Sequence, residues 1–132
     1  MASFDPNEPG TKERHSLLVG AIAPRPIALV STVDEFGNNN LSPFSFFNIF
    51  SANPPVVIFS AARRVRDNTT KDTLHNAMQQ KEVVISVVNY AITQQVNLSS
   101  AEYSSDVDEF VKSGLTPIDS DLVAPRRVKE SP

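Results

Sequence analysis

The chain has 132 residues, enough for one ordinary domain with a core of its own. Its 40% hydrophobic and 20% charged residues are the balance of a folded globular protein, not a disordered one. Twelve basic against 15 acidic side chains (net −3) argue against a general nucleic-acid binder, and the lack of cysteine excludes disulfide scaffolds, thiolate metal sites and thiol nucleophiles.

Residues 1–12, with Pro6, Pro9 and Gly10, read as a flexible N-terminal arm. The arm has no signal-peptide core, and no apolar run approaches the ~20 residues of a membrane span. A cytoplasmic protein is expected, with neither membrane nor nucleic acid as partner. Residues 13–132 form the domain, opening on a short extended entry from Leu17 to Ile22. Pro26 to Val33 is the first clear strand. Ile27, Leu29 and Val33 share one face, with Ala28, Val30 and Thr32 on the other. Asp34 to Asn39 supplies turn chemistry, since Gly37 and the asparagines tolerate positive φ. Leu41 to Ile49 is the return strand of this hairpin, and Pro43 within it predicts an edge or a bulge.

Val56 to Ser60 is a continuous apolar strand. A polar loop, Ala61 to Thr70, leads into a helix over Lys71 to Gln80 with Leu74, Ala77 and Met78 as its apolar stripe. Val83 to Val88 is a strand, while Ala91 to Ala101 and Val107 to Ser113 are short helices, the second ended by Gly114. From Leu115 onward the chain is extended and bounded by prolines. Antiparallel strands outnumber helices, so the fold class expected is mainly β: a small β-barrel with peripheral helices.

Several chemistries find no support. His15 and His75 have no ligand spacing, so no metal site is expected. His75 reads as a structural or surface residue beside the helix stripe, and His15 as a solvated one. Four glycines build neither a nucleotide-phosphate loop nor a nucleophile elbow. The acidic pairs Asp34/Glu35 and Asp108/Glu109 sit in turn and helix contexts that do not suit acid–base pairs.

Two segments carry positive signals. Arg63 to Thr73 places three arginines, Lys71 and several hydroxyls just before a helix start, in an acidic protein. A lysine there opposes the helix dipole unless an anion, most simply a phosphate, bridges Lys71, the Thr73 hydroxyl and the free backbone N–H groups. The plainer alternative is a solvated loop with Thr70 or Asp72 as cap. In Ser42-Pro43-Phe44-Ser45-Phe46-Phe47-Asn48, hydroxyls alternate with phenylalanines. Pro43 would free backbone polar groups for the edge of a planar heterocycle, with aromatic carbon at its face. Alternatively the phenylalanines are core and the serines line a seam.

The chain resembles the flavin reductase-like FMN-binding split-barrel family, on its flavoredoxin-like branch. The matching stretches, in order, are Gly20 to Thr32, Asn40 to Asn48, Asn53-Pro54-Pro55, Lys71-Asp72-Thr73, Val88-Asn89, Asn97 to Ser100, Asp108-Glu109-Phe110 and Gly114 to Pro117. The resemblance implies a homodimeric split barrel with FMN phosphate on Ser45 and on Lys71, Asp72 and Thr73. It implies ribityl and isoalloxazine contacts from Ser31, Thr32, Ser42, Pro43, Phe44, Asn48 and Ser60, with Arg25 at the phosphate or the pocket rim. It further implies an oxidoreductase, either flavin reductase or flavoredoxin-like, passing hydride or electrons from NADH or NADPH through FMN. A flavin-dependent monooxygenase partner is compatible with it, although no residue identifies one. Family members continue past the segment matching Arg126 to Pro132 into further strands, so this sequence corresponds to the N-terminal part of a domain that is incomplete at its C-terminus. The alternatives are a non-catalytic flavin-binding or electron-carrier module and a degenerate barrel serving only as an interaction domain.

Overall fold

The computed structural model describes Asp5, Asn7 and residues 10–132. Most of the arm expected over residues 1–12 therefore lies outside the described residues. The first element is a helix, α1 (Thr11–Ala21), where an extended entry from Leu17 was expected. It buries none of its own side chains, so it carries no apolar stripe by which periodicity could have found it.

Strand β1 (Ala28–Val33) forms the centre of a three-stranded antiparallel sheet, between β2 (Asn39–Phe44) and β5 (Val84–Val87). All six β1 residues are buried, because both faces of the strand are covered. Leu29 joins Leu41, Ile92, Val96, Phe110, Leu115 and Val128 in one core. Ala28 and Val30 point the other way, into a second core with Phe44, flanked by Phe47, Phe59 and Ile85. The β1–β2 turn closes as its residue types predict. Asp34 accepts hydrogen bonds from Phe36 N, Asn38 N and Asn38 Nδ2 at 2.8–2.9 Å, and Gly37 takes φ 85°. The amide of Asn38, foremost, lowers the Asp34 pKa.

The return strand is not continuous. It bends at Ser45 and Phe46 and divides into β2 and β3 (Phe47–Ala52), which pairs with β4 (Pro55–Phe59) in a separate two-stranded sheet. Pro43 stays in register opposite Leu29, on an edge strand where its missing N–H faces no partner. The expected lift of the backbone therefore falls at Ser45–Phe46 and not at Pro43.

Helix α2 (Asp72–Gln80) corrects a second expectation. Its buried residues are Thr73 and Asn76, while Met78 of the expected stripe is 72% exposed. A 3₁₀ turn (Tyr90–Ile92) leads into α3 (Thr93–Ser99), and α4 (Glu109–Ser113) follows. Asp108 caps α4 by accepting from Phe110 N at 2.8 Å. Gly114 ends it at φ 71° with no atom near the position a Cβ would occupy. Gly114→Ala should accordingly cost about 1 kcal/mol through backbone conformation alone, read as a lower denaturation midpoint. Short strands β6 (Pro117–Ile118) and β7 (Arg127–Val128) close the described chain, with Ser31 donating its hydroxyl hydrogen bond to Arg126 O. Among the described residues no helix is long and apolar enough to cross a membrane.

Candidate functional site

The bend at Ser45–Phe46 and the loop before α2 face each other across a cleft of about 260 Å³. Pro43, Phe44, Ser45, Phe46, Ser60 and Lys71 line it, together with the arginines Arg63 and Arg64 and the acidic Glu102. A second recess of about 100 Å³ shares Arg64, Lys71 and Glu102 with it and adds Ser42, Asp72 and Thr73. Seven positions singled out from sequence thus converge: Ser42, Pro43, Phe44, Ser45, Ser60, Lys71 and Asp72. Thr73 borders the recess, but its hydroxyl is turned inward onto Asn40. The structure does not bring three others to the cleft. Ser31 and Thr32 are 1% exposed and bonded within the interior, and Asn48 stands exposed on β3 with its Oδ1 accepting from Ile49 N.

Lys71 is the N-cap residue of α2, and no side chain caps that helix start. The expected alternative of a Thr70 or Asp72 cap is absent. The first-turn N–H groups are left to whatever occupies the recess. The Lys71 ammonium sits 4.9 Å from the centroid of the Phe44 ring. Burial, foremost, and the neighbouring Arg64 charge pull its pKa below that of an ordinary lysine, with Glu102 acting in the opposite sense. A partly desolvated cation at the positive end of a helix is an unfavourable arrangement that an anion would relieve.

The loop is braced by its own arginines. Arg64 Nη1 donates to Thr69 Oγ1 at 3.2 Å and to Thr70 O, and its Nη2 lies 3.5 Å from Asp72. Arg63 donates to Asn68 O at 2.7 Å, where Asn68 takes φ 58°. Arg66 pairs with Glu102 at 2.7 Å and with Asp67 at 2.9 Å. Thr69 and Arg66 together hold the Asp67 carboxyl well below the usual range.

Sequence reasoning missed His15, which it read as solvated, and named Phe46 only as part of the Ser42 to Asn48 segment. Helix α1 carries His15 to the cleft, with its ring centroid 6.1 Å from that of Phe46. Arg25 supports the same corner, donating to Val19 O at 2.6 Å and to Ile22 O and standing 6.0 Å from the Phe46 ring. Arg25 therefore holds the end of α1 at the rim. Only the unforeseen helix could have signalled His15.

A family model described as the flavin reductase like domain matches residues 19–132. The chain belongs to the flavin reductase-like family. Curated relatives of the domain include uncharacterized proteins of Aquifex aeolicus (40% identical, 89% of this chain and 59% of that one) and Halalkalibacterium halodurans (38% identical, 97% and 61%). The chain thus spans about three-fifths of the length of these relatives. Nitrilotriacetate monooxygenase component B from Bacillus cereus superposes with a TM-score of 0.92 at 36% identity, covering 99% of this chain and 64% of that one. A protein with a split barrel domain from Shewanella frigidimarina gives 0.81 at 31% identity, covering 99% and 65%. Flavoredoxin of Desulfovibrio vulgaris shares the fold, with a TM-score of 0.72 at 22% identity, covering 83% and 56%. The fold is the flavin reductase split barrel, as the sequence motifs implied.

Proposed function

We propose that the cleft holds FMN and that the protein is a flavin reductase or flavoredoxin-like oxidoreductase, taking hydride or electrons from NADH or NADPH. The observation that carries this reading is the uncapped start of α2, with half-buried Lys71 beside Ser45 and Phe44. A flavin phosphate would accept hydrogen bonds from Lys71, the first-turn N–H groups and the Ser45 hydroxyl, while Phe44 and Phe46 would offer carbon to the ring. Ser42, Pro43, Ser60 and Asp72 would complete the wall. Bound flavin would supply the redox chemistry, and this chain would position it and exclude water. A flavin-dependent monooxygenase is a compatible partner, since the Bacillus cereus neighbour is itself a component of a monooxygenase.

The test is a visible spectrum of the protein incubated with FMN and desalted, followed by anaerobic NADH or NADPH. Retained flavin absorbance that bleaches with one nucleotide is the expected result and would name the donor. Retained absorbance that neither nucleotide bleaches would leave a flavin-holding module, and no retained colour would overturn the assignment.

The proposed assembly is a homodimer. Ile49 and Phe50 of β3 are 71% and 65% exposed, and Val57 and Ile58 of β4 are about half exposed, an apolar surface of the kind that associating proteins cover. Sedimentation should give twice the chain mass, and Phe50→Asp should give the monomer. A monomeric wild type would contradict the assignment.

A further inference from the structure

Helix α2 rests on the sheet through polar groups. Its two buried residues, Thr73 and Asn76, meet the β1–β2 hairpin by hydrogen bonds. Asn76 Nδ2 donates to Thr32 Oγ1 at 3.2 Å, and Thr32 Oγ1 donates to Asn40 Oδ1 at 3.2 Å. Thr73 Oγ1 donates to the same Asn40 Oδ1 at 2.7 Å. Asn40 Nδ2 then donates to Glu109 Oε1 at 3.2 Å, and Leu41 N donates to Glu109 Oε2 at 3.1 Å. Every bond runs toward Glu109, whose ionised carboxylate only accepts. Glu109 is 9% exposed and is the first residue of α4, so its own helix does not require it to point inward.

We propose that Glu109 is a positioning residue of the cleft: through Asn40 it sets the direction of the hydrogen bonds that hold Thr73, and with it the first turn of α2, against the recess. The proposal rests on reading that recess as part of the flavin phosphate site. Asn40 has one acceptor and one donor end, and nothing in its own shape decides which end faces α2. The carboxylate decides it. With Nδ2 turned to Glu109, Oδ1 must face the Thr73 and Thr32 hydroxyls, and α2 is held by two donors meeting one acceptor. Burial, foremost, raises the Glu109 pKa, with the Asp108 charge acting in the same sense, and the donors Leu41 N and Asn40 Nδ2 offset this only in part.

A Glu109→Gln substitution keeps the shape and spoils this pattern. The amide has one acceptor for two donors, so either Leu41 N–H loses its partner or Asn40 turns over and presents N–H groups to α2. The combined variant Glu109→Gln with Asn40→Asp restores it. The introduced amide oxygen accepts from Leu41 N, its nitrogen donates to the new carboxylate, and the other carboxylate oxygen accepts from Thr73 and Thr32. Buried charge is conserved, having moved from position 109 to position 40.

The test uses two readouts. The first is amide hydrogen exchange of Leu74 and His75 in protein without flavin, since both N–H groups bond Lys71 O. The second is FMN affinity by fluorescence titration. Glu109→Gln should speed exchange at Leu74 and His75 about tenfold and weaken FMN binding about five- to tenfold, with the combined variant within about twofold of wild type in both. A merely structural role would speed exchange at Val30 in β1 equally and would gain nothing from the exchange of groups. Unchanged exchange and affinity in Glu109→Gln, or a combined variant no better than the single one, would overturn the proposal. If Glu109→Gln does not fold, the combined variant alone decides, since its folding and binding like wild type requires the exchanged pattern. A wild type that binds no FMN would refute the functional reading, while the exchange measurement would still judge Glu109.

Discussion

Lys71→Ala should lower affinity for FMN about 10- to 100-fold, the equivalent of the ~1.5–3 kcal/mol that charge-assisted hydrogen bonds contribute. The same substitution should leave the melting temperature of flavin-free protein unchanged or slightly higher. Lys71 sits at the positive end of α2 with Arg64 nearby, so its charge opposes both. A side chain that weakens the free protein and strengthens the complex is the mark of a binding residue. The pH dependence follows from the same environment. Only the ammonium form meets the phosphate, and burial, foremost, holds its folded pKa below that of an ordinary lysine. Affinity should therefore be full at neutral pH and fall as pH rises, starting earlier than for a solvated lysine. Lys71→Arg, whose charge persists, should bind evenly across that range. An alkaline fall in affinity identical in Lys71→Arg would assign the titration elsewhere.

The largest loss of stability is expected from Phe110→Ala. Phe110 is 1% exposed and packs in the core that joins Leu29 and Leu41 of the sheet to Ile92 and Val96 before and within α3, and to Leu115 and Val128. Removing the ring should cost about 3–5 kcal/mol, combining lost transfer energy with a cavity that the surrounding elements cannot close. Chemical denaturation would read it as a shift in midpoint at nearly constant slope. The same core fixes α4, and so the direction in which Glu109 enters the interior. Phe110→Leu, which retains more of the buried volume, should lose less than the alanine variant.

Much of the frame could be read from local chemistry. Asp34 and Gly37 announced the β1–β2 turn, Gly114 the end of α4, and the β-branched run before Ser60 the strand β4. Lys71 at a helix start pointed to the cleft, since its charge is misplaced there without an anion, and the anion itself is what we propose. What stayed hidden depends on tertiary context. Helix α1 buries nothing and so imprints no period on its sequence. The Ser45–Phe46 bend looks like continuous strand, because the alternation of residues runs straight through the point where the backbone changes sheets. In α2 the stripe pattern pointed to Met78, but the inward face is Thr73 and Asn76, since what lies beneath them is Asn40 and Thr32 and not carbon. Ser31 and Thr32, implied by resemblance to touch flavin, instead bond Arg126 O and the Asn40–Asn76 network. Glu109 reads from sequence only as half of an acidic pair in a helix context, and it is the packing of α4 that turns it inward.

The central claim, that the start of α2 receives a flavin phosphate, is tested most directly by titrating the protein with FMN and with riboflavin under identical conditions. The two ligands share the ring and ribityl chain and differ only in the phosphate. The account predicts that FMN binds at least about tenfold more tightly, and that Lys71→Ala removes most of that difference while leaving riboflavin affinity nearly unchanged. Equal affinities for the two flavins in the wild-type protein would contradict it.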